Sequence, residues 1–253
     1  MSAEAAATTQ DAILGGRLIL RQPKRGHRVG HDAILLAAAT DARAGEQAAD
    51  LGSGVGAAGL ALARRVAGLS VTLVEIDAAL AALAVENAES NGLADRVDVN
   101  VIDVAAPARQ FVATGLGPGS MARVLMNPPF NDPARQNVSP DAGRRLAHAA
   151  PRDTLVEWMR RAAWLLAPSG TLTLIWRADG LAGLLSAADT FGGFAIVPVY
   201  PRPNAAAIRV LVRMIKGSRA SLSLRPGLTL NDAHGQSTAE AEAILREGKV
   251  LPF

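Results

Sequence analysis

The chain has 253 residues, 49% of them hydrophobic and none of them cysteine, which allows a large core and excludes disulfides, thiolate metal sites and cysteine nucleophiles. Its four histidines (His27, His31, His148, His234) lack HxH or HxxxH spacing, so no metal site is expected, and no apolar run reaches the ~18 residues that span a bilayer. The net charge is only +3 but unevenly placed, and residues 1–11 resemble neither a secretory nor a transit peptide, which predicts a cytoplasmic protein.

Gly15-Gly16 ahead of Arg17-Leu18-Ile19-Leu20 predicts a short hairpin, and DAILLAAATDA over residues 32–42 reads as a helix with Asp32 at its N-cap. From residue 47 onward, strand and helix signals alternate. Apolar runs suited to buried parallel strands occupy 47–51, 70–75, 97–103, 123–127 and 171–176. Helical stretches fall at 56–67, 78–91 and 153–166, the second ended by Asn91-Gly92, and a further helix follows near 181–191. The loop over 131–152 is long enough to suggest a functional segment. Residues 194–200 and 207–215 are extended and joined by Pro201-Arg202-Pro203-Asn204, too short for a parallel crossover, so they form an antiparallel hairpin. A short helix is expected at 238–246. The pattern predicts an α/β, Rossmann-like fold: a mostly parallel, seven-stranded, doubly wound sheet with an antiparallel edge hairpin. The expected organisation is an N-terminal basic segment and helix (1–46), a central domain (47–216) and a C-terminal extension (217–253).

Asp50-Leu51-Gly52-Ser53-Gly54-Val55-Gly56 lies between the first central strand and its helix, where Gly52, Gly54 and Gly56 let the backbone approach a ligand beside free helix N–H groups. Residues 54–59 also match GxGxxG formally. A pyrophosphate disfavours a carboxylate at this turn, whereas a ligand bearing an ammonium and a sulfonium tolerates one; Asp50 therefore favours S-adenosylmethionine over a nicotinamide dinucleotide. Glu75, followed by Ile76, ends the next strand and suits two ribose hydroxyls. Asp103, with Val104 beside it, ends the third and suits an adenine amino group. Asn127-Pro128-Pro129-Phe130 closes the fourth strand. Each proline lacks an N–H and fixes its φ, leaving rigid, unpaired carbonyls between a carboxamide and an aromatic face. An ordinary strand-ending turn has the same composition; the three upstream acids favour a pocket for a flat amine.

DLGSGVG, VEID, a strand-ending Asp and NPPF in this order resemble the class I methyltransferases that modify amino groups. The flanks, Leu14-Gly15-Gly16-Arg17-Leu18, Gln22-Pro23, Arg28 to Ala37 and His234-Gly235-x-Ser237-Thr238-Ala239-Glu240, are similar to those of the bacterial tRNA(valine) adenine N6-methyltransferases. That resemblance implies transfer of a methyl group from S-adenosylmethionine to the N6 amine of the tRNA adenine next to the anticodon. Asn127 and the Pro128 carbonyl would hold the amine, Asn127 would also border the cofactor, and Phe130, with Pro129, would stack on the base. Asp32 and Arg28 would cover the methionine end, with His31 where the family often has a small or hydroxyl residue. The basic flanks carry Arg17, Arg21, Lys24, Arg25 and Arg28 before residue 32, and Arg202, Arg209, Arg213, Lys216, Arg219 and Arg225 after residue 200. They suit a polyanion, and Arg17, Arg25 and Arg28 are candidate RNA contacts; a solvated surface would look the same. Methylation of a ribosomal guanine N2 or of a glutamine amide, a non-catalytic nucleoside- or RNA-binding module, and a nicotinamide-dependent oxidoreductase stand as alternatives. The sequence leaves the oligomeric state open.

Overall fold

The computed structural model describes residues 7–25, 28–129 and 151–253, the first three of the last segment by backbone alone. Phe130, His27, His148 and nearly all of the loop expected at 131–152 lie outside the described residues.

β1 (Thr8–Ile13) and β2 (Leu18–Pro23) pair antiparallel around the turn Leu14–Gly16, in which Leu14, Gly15 and Gly16 all take positive φ. The sequence signal caught the turn and the second strand; β1, polar and half exposed, has no apolar run to announce it. α1 (His31–Ala39) follows. Its N-cap is Gly30, in extended geometry, and not Asp32. Asp32 lies in the first turn, and its carboxylate pairs with Arg209, with Nε to Oδ2 at 2.9 Å.

The main sheet is built from β3 (Gln47–Leu51), β4 (Ser70–Glu75), β5 (Val97–Val101), β6 (Met121–Met126), β7 (Leu166–Arg177), β8 (Phe191–Tyr200) and β9 (Arg209–Lys216) in the order β5-β4-β3-β6-β7-β9-β8. β9 runs antiparallel to both β7 and β8, so β8 returns parallel to the rest. This is the Rossmann-like arrangement with a hairpin at one end, and β9 inserted ahead of β8 separates it from the all-parallel dinucleotide fold. Two short strands, β10 (Ser223–Leu224) and β11 (Leu228–Thr229), add parallel to β8. Pro168-Ser169-Gly170 interrupts β7 with Ser169 at positive φ, and the β6 register shifts between Met121 and Arg123.

α2 (Ala57–Arg65), α3 (Ala78–Ser90), α4 (Ala108–Ala113), α5 (Pro151–Leu165) and α6 (Leu181–Ala187) cross between strands. α4 was not anticipated; at six residues it is too short for a helical period to stand out. α3 stops at Asn91-Gly92, where Gly92 takes positive φ and the Leu93 N–H reaches back to the Ala88 carbonyl. α7 (Ala239–Leu245) is N-capped by the Thr238 hydroxyl, which accepts from the Ala241 N–H. Apolar side chains fill both faces of the sheet. Leu60, Leu73 and Leu211 join Leu18, Leu36 and Ile244 on one face; Val74, Met126 and Leu174 join Phe111, Met159 and Leu184 on the other. Strand order reverses between β3 and β6, which makes the crevice beyond their C-terminal ends the expected ligand position.

Candidate active site

β3 and β6 run in parallel with Leu51 opposite Met126, so the next residues, Gly52 and Asn127, leave the sheet side by side. The turn after β3 is stitched to the end of β4. The N–H groups of Gly52 and Ser53 both donate to the Val74 carbonyl, at 2.8 and 3.0 Å. Gly52 and Gly54 take φ of +70° and +57°, values that penalise any side chain. Their surroundings differ. A Cβ on Gly52 would come within 2.3 Å of the Trp158 ring, whereas a Cβ on Gly54 would meet nothing within 4 Å. One glycine is needed for close packing, and the other presents bare backbone to open space.

Glu75 joins the strand ends. Its Oε2 accepts from the Gly54 N–H at 2.7 Å and its Oε1 from the Asp77 N–H at 2.9 Å, while Asp77 caps α3 through the Ala79 N–H at 2.8 Å. Ile76 beside it is 59% exposed, a high value for an isoleucine next to a buried acid. Asp103 lies two residues past the end of β5, exposed, with Oδ1 accepting from the Ala105 N–H at 2.9 Å. Val104 is buried, and its carbonyl accepts from Arg161 Nε at 3.2 Å.

Asp50 sits beneath the turn. It is buried, and its Oδ2 accepts from the Gly59 N–H, in the first turn of α2, at 2.8 Å. Burial pushes its pKa up to about 7; the Gly59 hydrogen bond opposes that shift and the neighbouring Glu75 charge adds to it. Its carboxyl group thus anchors α2 to the sheet.

At the end of β6 the carboxamide oxygen of Asn127 is buried and has no hydrogen-bond partner among the described residues. Pro128 is buried and Pro129 exposed. The Ser53 hydroxyl, across on the glycine turn, is likewise buried and unpartnered. Buried polar atoms are nearly always satisfied, so these two oxygens on adjoining strand ends are candidates to take a ligand's hydrogen bonds.

The structure brings together Asp50, the glycine turn, Glu75, Ile76 and Asn127. Asp32 is joined to Arg209 as described, and Arg28 pairs with Asp11 at 2.7 Å. Arg17 donates to the Glu247 carbonyl, and Arg25 is exposed. Three residues escaped the sequence reading. Ser53 lay inside the glycine motif, where its hydroxyl was the available signal. Trp158 and Asn87 (whose side chain donates to the Val55 carbonyl of the turn at 3.0 Å) reach the site only through tertiary contacts.

Residues 27–187 match the model of the methyltransferase small domain family. A tRNA1(Val) (adenine(37)-N6)-methyltransferase from Porphyromonas gingivalis is 32% identical over 172 residues, which are 65% of this chain and 64% of that protein. One of the same name from Trichodesmium erythraeum is 28% identical over 207 residues, 78% of this chain and 81% of its own length. Among solved structures, a predicted O-methyltransferase from Agrobacterium tumefaciens is 30% identical, superposes with a TM-score of 0.72 and covers 87% of this chain and 98% of its own. With its strand order, its glycine turn and this match across more than half its length, the chain belongs to the methyltransferase small domain family and has the class I methyltransferase fold.

Proposed function

We propose that this protein transfers a methyl group from S-adenosylmethionine to the N6 amine of an adenine in tRNA, the one next to the anticodon. The observation that carries the reading is the buried, unpartnered carboxamide oxygen of Asn127 beside the glycine turn. An exocyclic amine has N–H groups to give such an acceptor, and two curated relatives are named for adenine N6 methylation of a tRNA.

The residues present fit the cofactor. Gly54 offers open backbone, Glu75 has a carboxylate for ribose hydroxyls, Ile76 has an exposed apolar side chain for an adenine face, and Asp103 can accept from the adenine amine. The Ser53 hydroxyl adds a polar contact at the turn. When bound, S-adenosylmethionine supplies an electrophilic methyl group on a sulfonium.

The chain's own groups do the rest. The target adenine must leave its stack to reach the site, as base-modifying enzymes require. Phe130, outside the described residues, is the candidate stacking face, worth about 1–3 kcal/mol. Asn127 Oδ1 and the Pro128 carbonyl accept from the amine, aim its lone pair and stabilise the positive charge that grows on nitrogen. Holding the two reactants in line supplies part of the ~7–11 kcal/mol available from orientation. With the cofactor bound, its methyl group would pass to N6 with S-adenosylhomocysteine as the leaving group, while Asn127 and the Pro128 carbonyl hold the amine, and the proton that alkylation makes acidic would then pass to water. No base is needed beforehand.

The test is incubation with labelled S-adenosylmethionine and total tRNA, followed by nucleoside analysis. Label in N6-methyladenosine is expected, and Asn127→Ala should lose more than a hundredfold in turnover with unchanged S-adenosylhomocysteine affinity. Label in a 2′-O-methyl nucleoside, or full activity of the variant, overturns the proposal.

A further inference from the structure

A cavity opens on the same edge of the sheet as Asn127. β8 runs parallel to β6 and β7, so its last residue, Tyr200, lies at the C-terminal edge where β6 ends. Beyond Tyr200, the hairpin turn and the segment after β11 enclose about 410 Å³ between Pro201, Arg202 and Ala205 on one wall and Asn231, Asp232 and Ala233 on the other. β8 is three strands from β6 in the sheet order, roughly 14 Å away at ~4.8 Å per strand.

The cavity is built of rigid parts. Asn231 donates to the Pro201 carbonyl from its backbone N–H at 3.2 Å and from its side-chain Nδ2 at 3.0 Å, which ties the two walls together. Asp232 Oδ1 accepts from the N–H groups of His234 and Gln236 at 2.8 and 2.9 Å, and a bridge pairs Asn231 with Ser237. The other wall is set by two prolines and by Asn204 at positive φ. Arg202 is exposed and makes no ion pair with a described residue, unlike Arg209, which holds Asp32. Its neighbours in the wall are apolar, and Asp232, which lines the far wall, has one carboxylate oxygen already committed to backbone N–H groups. The chemistry on offer is therefore a guanidinium for a phosphodiester, carboxamide and carboxylate oxygens for ribose or base donors, and flat apolar surface for a sugar or base.

We infer that this cavity takes one nucleotide of the RNA strand that flanks the target adenine, with Arg202 on its phosphate. The inference rests on the RNA reading above and places a second anchor three strands along the sheet edge from Asn127, which fixes the strand's direction across that edge.

The experiment compares wild type, Arg202→Glu and Ala205→Trp in methylation of tRNA, in tRNA binding over a range of salt concentrations, and in S-adenosylhomocysteine binding. Arg202→Glu is expected to raise KM for tRNA about tenfold and to reduce the salt slope by about 0.7, one single-strand phosphate contact, with kcat and S-adenosylhomocysteine affinity unchanged. Ala205→Trp, which fills the cavity without altering charge, is expected to raise KM for tRNA with the slope retained. If wild type methylates tRNA and both variants match it in KM and slope, the cavity is not an RNA site and the inference fails alone. If wild type neither binds nor methylates tRNA, the functional reading fails and takes this inference with it.

Discussion

Asp50 shows how one buried side chain couples the site to pH. Its pKa, pushed up to about 7 from an ordinary 3.8, means that the folded chain holds a proton which the unfolded chain has released between those values. Stability from this group is therefore greatest below pH ~4, falls as pH rises toward 7 and levels off above it. The steepest loss is about 1.4 kcal/mol per pH unit. Asp50→Asn keeps an acceptor for the Gly59 N–H and removes the titration. Denaturant unfolding of the ligand-free protein from pH 5 to 7 should show the slope flattened in this variant; an unaltered slope would assign the titration elsewhere. The same burial explains why the sequence reading of Asp50 was incomplete. A carboxylate next to a glycine turn suggests a ligand contact, and which side of the turn it faces depends on α2 folding over it.

Between elements, Asn87 is the clearest joint. It lies on α3, is 1% exposed, donates from Nδ2 to the carbonyls of Arg21 and Val55 at 3.0 Å each, and accepts the Arg21 N–H at 2.7 Å. Asn91, one turn on, does the same for Ile19, so β2 finds on a helix the backbone partners that a neighbouring strand would supply. Leu18 and Leu20 lock the opposite face of β2 into the core. Asn87→Leu would leave these three backbone groups unpaired at ~1–3 kcal/mol for each that stays dry. We expect a lower Tm and, because Val55 belongs to the glycine turn, weaker S-adenosylhomocysteine binding by calorimetry. Reduced stability with unchanged affinity would make Asn87 a joint of the fold alone. Periodicity placed α3 well, and nothing in the helix marked Asn87, because its partners are 32 and 66 residues away along the chain.

Across the whole molecule, the two basic flanks divide in space. Arg177 and Arg209 are paired opposite each other at the C-terminal edge of the sheet, while Lys216 lies opposite Phe191 at the other edge, with Arg219 just beyond it. The segment after β2 leads into α1, whose Asp32 meets Arg209 on the active-site edge. Lys24 and Arg25 on that segment are exposed. Reversing both to Glu should weaken tRNA binding and flatten its salt dependence, whereas Arg219→Glu should do neither. Equal effects from the two changes would mean that the flanks act only through net charge.

What the sequence determined by itself was local in origin. The bounds of β3 and β4, the stop of α3 at Asn91-Gly92, the hairpin around residues 201–204 and the order of the motifs all follow from period, turn chemistry and spacing, which neighbouring residues encode. From these the class of fold and the glycine turn beside Asn127 were legible. The tertiary structure decided what required distant partners. It left the buried Asn127 and Ser53 oxygens without partners among the described residues, turned Asp50 under α2, gave Asp32 to Arg209 instead of the helix cap, and laid Trp158 against Gly52. Burial and hydrogen-bond pairing are properties of the assembled surroundings, and a residue's own neighbours in the chain do not contain them.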